Sequence, residues 1–164
     1  MTRFPDVDVR SLQGTDLRLP ADLPAHRTLL LLAFRQWQQQ EVDAWLALAD
    51  QAGWSADLTV PADDRPFAAI EVPCISRRWG PTRRFIDGGM AASIRVPAVL
   101  ARTWTAYTDV GRVQRALDIA DGEHIWVGVL TRSGEVLEIA RGTPTDRSFE
   151  VIAAAMGAAQ ESAD

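Results

Sequence analysis

The sequence predicts an α/β fold: a three-layer sandwich whose mixed central sheet carries helices on both faces and a C-terminal β-hairpin. Three observations predict it. Thr28–Phe34, TLLLLAF, is an unbroken apolar run, as expected of a strand buried on both faces. A helical pattern then leads to a second apolar run at Phe67–Val72, which makes a parallel strand–helix–strand unit with a right-handed crossover. Late in the chain two strand-like runs flank Thr131-Arg132-Ser133-Gly134, a hairpin signal.

Each element follows in order. Thr15–Leu19 reads as a short strand after the turn Gln13-Gly14, and Pro20–Pro24 as a loop. Over Gln38–Gln51 the residues Val42, Trp45, Leu46 and Ala49 recur at spacings of three and four, one face of a helix that Gly53 closes. Pro66 and Pro73 bound the second buried strand. Beyond it, Pro81 suits a first helical position and Ile86, Met90 and Ile94 align at intervals of four, with Gly88-Gly89 free to bend that helix. Thr103–Thr108 has strand composition, and Asp109 is placed to cap a short helix marked by Val110, Val113 and Leu117. Ile125–Leu130 and Glu135–Ala140 form the hairpin. Phe149, Ile152 and Met156 stripe a last helix.

Composition narrows the chemistry. The 164 residues contain no repeat and no linker, so one domain spans residues 1–164. A net charge of -5 argues against a nucleic-acid partner. All 17 basic residues are arginine, which excludes Schiff-base chemistry, lysine-bound pyridoxal phosphate and a P-loop lysine. The single cysteine, Cys74, excludes an intramolecular disulfide, a cysteine-rich zinc site and a two-cysteine redox pair. His26 and His124 are too few and too far apart in sequence for a metal cluster, so neither metal nor cofactor is expected. No apolar run approaches the roughly 20 residues of a membrane span, and MTRFPDVDVRSL lacks the apolar core of a secretory signal; the expected compartment is the cytoplasm.

The order of segments resembles the thioredoxin-like superfamily, in particular its peroxiredoxin and thiol-reductase branches. FPDVDVRSLQGTDLRLPADL, residues 4–23, is similar to the opening that precedes the first core strand in those families. Next comes a strand ending in Phe34, and then Trp37-Gln38-Gln39-Gln40-Glu41 where the redox motif W-C-x-x-C stands, followed by a helix. Tyr107–Ile119 and the hairpin VGVLTRSGEVLEIARG match the later layout, while residues 76–102 look like an Arg-rich insertion. The resemblance implies a cleft beside Trp37 and, where the motif is intact, thiol chemistry. Here both cysteine positions fall on Gln38 and Glu41, the peroxiredoxin pattern P-x-x-x-T-x-x-C is missing, and Glu123-His124 stands where a cis-proline usually precedes the hairpin. Glutamine and glutamate cannot perform thiol exchange, which needs an attacking and a resolving thiolate. The chain is similar in this respect to the redox-inactive assembly factor of mitochondrial ATP synthase.

Three readings of function follow. In the first, the domain keeps a cleft and binds a protein or peptide partner as a binding or assembly module. In the second it is a one-cysteine thiol enzyme, a peroxidase or a mixed-disulfide enzyme, using Cys74. In the third the chain only builds an oligomer, with its tryptophans as interface. Parallel strands end at the same sheet edge, so Cys74 is expected to open near Trp37 and Gln38, where open α/β sheets bind ligands, with Arg77 and Arg78 close enough in sequence to favour a thiolate. A packed core thiol is the plainer alternative. Arg77, Arg78, Arg83 and Arg84 around Trp79 form the densest positive cluster, suited to an anionic group or simply to pairing with surface acids. His124 has no partner visible in sequence. Glu41 suits the positive end of its helix.

Overall fold

The structure, a computed structural model, describes residues 2–62, 64–76 and 96–163, the side chains of Ser76 and of residues 158–163 excepted. Its seven strands are β1 (Val7–Ser11), β2 (Asp16–Leu19), β3 (Arg27–Ala33), β4 (Phe67–Ser76), β5 (Trp104–Thr108), β6 (Trp126–Thr131) and β7 (Val136–Arg141). They form one sheet in the order β2-β1-β5-β4-β3-β6-β7. β3, β4 and β5 are mutually parallel, and the N-terminal hairpin and the β6–β7 hairpin add antiparallel strands on either side. The described helices are α1 (Gln39–Ala52), α2 (Pro97–Arg102), α3 (Val110–Ala116) and α4 (Asp146–Ala163).

The leucine run is apolar throughout because it is covered twice. Leu29 and Leu31 point into a layer made with Val42, Trp45 and Leu46 of α1 and Ile152 and Met156 of α4. Leu30 and Leu32 point into the opposite layer, with Val113 of α3, Trp104, Trp126 and Phe4. Alternation along a strand sends neighbours to opposite faces, and both faces here are dry. α1 stops where Gly53 takes a left-handed conformation, φ 81°, with its N–H on Ala49 O. Asp109 caps α3, as expected, by accepting from the Arg112 amide.

Three expectations need correction. Pro73 does not end the second buried strand: β4 continues to Ser76. The proline sits where pairing passes from β3, which ends at Ala33↔Pro73, to β5, which begins at Cys74↔Ala106. Its missing N–H therefore falls at a change of partner. A strand at Val7–Ser11 was not among the expected elements; VDVRS alternates in burial and pairs with both β2 and β5. The helix expected from Gln38 begins at Gln39, after a 3-10 turn over Gln36–Gln38. The helix expected beyond Pro81, and most of the segment read as an insertion, lie outside the described residues; its last part is α2.

Candidate functional site

β3 and β4 run parallel, and at the edge where β3 ends the chain turns through Phe34, Arg35 and the 3-10 turn into α1. Leaving a strand frees backbone amides that need acceptors. Gln38, fully buried, supplies one: its Oε1 accepts from the amides of Phe34 at 2.9 Å and Arg35 at 3.2 Å. Its Nε2 donates to Gly122 O at 2.6 Å. One turn on, Glu41 is 7% exposed, with Oε2 3.1 Å from His124 Nδ1 and Oε1 accepting from the Ile125 amide at 3.3 Å. A further turn on, Trp45 Nε1 donates to Gly142 O at 2.8 Å. Positions 38, 41 and 45 share one side of the helix start, and all three reach the segment leading into β6 or the residue that follows β7.

The loop over residues 121–125 is held from other directions too. Arg141 donates from Nε to Ile125 O at 3.1 Å and from one terminal nitrogen to Asp121 O and His124 O. Gly142 N–H reaches Ile125 O at 3.0 Å, and Arg35 pairs with Glu123 at 3.2 Å on the surface. A Cβ on Gly142 would lie 3.0 Å from Glu41 Oε2 and 3.2 Å from His124 Nδ1, so the pair fits beneath a residue with no side chain. The two positions that would carry a reactive pair thus carry polar side chains spent on internal hydrogen bonds.

What remains open at this edge is different. Trp37 is 56% exposed, and the His124 ring is exposed in the loop that Gln38 and Glu41 bind. His124, without a partner in the sequence reading, has one in Glu41. Cys74 does not open onto the edge. It is 5% exposed, on the face opposite α1, packed with Val113, Trp104 and Ala106. Burial pushes its thiol up to about 12, and the Arg112 charge offsets only part of that. The thiol-enzyme reading called for a depressed, thiolate-favouring environment there, against the plainer packed core thiol; the alternation of β4 gives the latter, since Ile70, Val72 and Cys74 all point into that layer. Arg77, Arg78, Trp79, Arg83 and Arg84 lie outside the described residues. Among the described residues no three His, Cys, Asp or Glu side chains converge as metal ligands, and no helix is long and apolar enough to cross a membrane.

Sequence reading missed Trp45 as a hydrogen-bond donor, and Gly122, Arg141 and Gly142 as its counterparts and neighbours. One signal was present. Gln38 and Glu41 continue the buried face of α1 defined by Val42 and Trp45, and a polar residue on a buried face needs a partner.

The fold is thioredoxin-like. It is shared with the exposed lipoprotein thioredoxin of Streptococcus pneumoniae (TM-score 0.56, 11% identity, 93% of this chain and 98% of that one). BsSco, a member of the Sco family of cytochrome c oxidase assembly proteins, gives a TM-score of 0.58 at 9% identity over 97% and 94% of the two chains. A thiol-disulfide oxidoreductase from Bacteroides fragilis gives 0.53 at 13% identity over 93% and 98%. At such identities the likeness carries the fold alone. No protein-family model and no curated protein matches the sequence. With one cysteine, buried, this chain lacks the pair on which a W-C-x-x-C redox motif depends.

Proposed function

We propose that the chain is a redox-inactive thioredoxin-like domain that acts as a binding or assembly module, taking a protein or peptide partner at the edge carrying Trp37. The observation that carries this reading is the fate of Gln38 and Glu41. Both stand at the cysteine positions of the motif, and both are buried and committed to the loop before β6. A large aromatic left 56% exposed on so well-anchored a turn is the kind of group that anchors an interface. Assembly is also a role named for one protein of the same fold, BsSco.

The test has two arms. Insulin reduction and peroxide consumption are measured against an active dithiol thioredoxin and a peroxiredoxin; the expected rates are those of buffer. Turnover at the level of either control sinks the proposal. In the second arm a photo-crosslinking residue replaces Trp37 in one variant and Val60, exposed on a distant loop, in another. A discrete adduct is expected from position 37 only, and identical patterns from both positions would remove the edge as the binding surface.

A further inference from the structure

An open sheet has two edge strands, and each edge presents backbone groups with which another chain can pair. Here the edges are β2 and β7. At β2 the outward groups of Arg18 are both taken. The Asp22 carboxylate accepts the Arg18 amide at 2.8 Å, and the Asp22 amide donates to the Arg18 carbonyl at 2.8 Å. Leu19 and Leu23, both buried in the core, hold that turn against the strand. This edge is closed at Arg18.

The β7 edge already carries an extended segment over its start. Val136 N–H reaches Thr2 O at 2.8 Å, Phe4 N–H reaches Gly134 O at 2.8 Å, and Arg3 stands antiparallel to Glu135. Further on, the Ile139 amide turns away from β6, and its acceptor is the neighbouring Glu138 carboxylate, Oε1 at 3.1 Å. Alternation of an antiparallel ladder turns the Arg141 amide and the carbonyls of both residues the same way. The Ile139 side chain is 50% exposed. It lies on the face away from α4, opposite Gly128, whereas Glu138 and Ala140 stand opposite Val129 and Val127 on the α4 face. A carboxylate thus fills the place that a partner strand's carbonyl would take, and displacing it leaves a negative charge to be matched.

We propose that β7, over residues 138–141, takes an extended segment of a protein partner, antiparallel like residues 2–4 and with apolar and basic side chains in alternation. A carbonyl of the incoming strand replaces Glu138 at the Ile139 amide. An apolar residue lies opposite Ile139, and a basic one on the other face meets the freed carboxylate. The proposal does not depend on a partner at Trp37.

The probe is the capped pentapeptide Arg-Val-Arg-Val-Arg, titrated into the ¹⁵N-labelled full chain beside its Glu-Val-Glu-Val-Glu counterpart. Saturable shifts are expected at the Ile139 and Arg141 amides, with Arg18 unmoved. The basic peptide should bind at least about fivefold more tightly than the acidic one. Glu138→Arg should reverse that preference. Ile139→Pro removes an N–H that takes no part in the β6 ladder and should abolish binding of both peptides; it carries the test if Glu138→Arg does not fold. No saturable shift, equal affinity for the two peptides, an unchanged preference in Glu138→Arg, undiminished binding by Ile139→Pro, or shifts centred on Arg18 each overturn the proposal. So does protection of the Ile139 amide that rises with protein concentration alone, which would give the edge to a second copy of this chain.

Discussion

Glu41 and His124 meet across 83 residues of chain, Oε2 to Nδ1 at 3.1 Å, in an unequal partnership. The carboxylate side chain is 9% exposed and the imidazole 61%. The buried partner also takes the Ile125 amide, whereas the exposed one makes no other described side-chain contact of that strength. Removing the carboxylate leaves a buried donor without an acceptor, while removing the imidazole leaves a carboxylate that still holds an amide. Glu41→Ala is therefore expected to cost about 2–3 kcal/mol and His124→Ala less than about 1 kcal/mol. Urea denaturation of the two variants checks the asymmetry, and equal losses would contradict it.

Gln38 offers a sharper discrimination because its amide both accepts and donates. Gln38→Glu keeps an oxygen for the Phe34 and Arg35 amides but sets a second one against Gly122 O, now 2.6 Å from a donor nitrogen. The near-isosteric charge change should thus destabilise as much as Gln38→Ala, about 2–3 kcal/mol. A tolerated Gln38→Glu would mean the Gly122 contact is dispensable.

The layer order of the fold was legible because it rests on local signals. TLLLLAF announces a doubly covered strand, Gly53 a helix end and TRSG a hairpin, and each was found in place. The site was legible only on one side of each contact. Gln38 and Glu41 stand out by replacing cysteines, but Gly122 and His124 come near them only after the chain has built five strands of sheet, and Gly142 only after seven. No local pattern encodes that meeting. Cys74 was misjudged for a related reason: the edge at which a strand ends follows from topology, but the face a residue takes follows from register. Periodicity could have set that register, since Ile70 and Val72 share Cys74's parity.

Burial of Cys74 has a pH consequence. Its thiol keeps its proton up to about 12, whereas the ordinary thiol value is 9.0. Between these values the folded chain holds a proton that the unfolded chain has released, so stability falls as pH rises through the window. The loss approaches about 1.4 kcal/mol per unit. Below 9 the contribution is constant. The difference in unfolding free energy between the natural chain and Cys74→Ala should accordingly narrow from pH 9 upward, and native alkylation at pH 8 should be negligible without denaturant. Rapid native labelling would revive a thiol enzyme built on Cys74.

Trp37 should behave as a surface residue in stability and as a contact residue in association. At 56% exposure, Trp37→Ala is expected to change unfolding free energy by no more than about 0.5 kcal/mol. If the edge takes a partner, the same substitution weakens capture of that partner about tenfold or more. Calorimetry on the variant separates the two effects, and a large fall in stability would show that the indole is packed.

Gly142 sits against both the Glu41 carboxylate and the Trp45 indole. Its φ is 70°, in the left-handed region, its N–H reaches Ile125 O, and its carbonyl receives the Trp45 indole. An added Cβ would also press on Glu41 Oε2 at 3.0 Å. Gly142→Ala therefore carries two costs, about 1–2 kcal/mol for the backbone conformation and a comparable amount for displacing the carboxylate. Only the second depends on Glu41. In a Glu41→Ala background the obstructing oxygen is gone, and Gly142→Ala should cost only the backbone share. The double-mutant cycle should then show a coupling of about 1 kcal/mol or more. Strict additivity would mean that the carboxylate moves aside freely, and that the Glu41–His124 contact does not hold the loop over residues 121–125 against the start of α1.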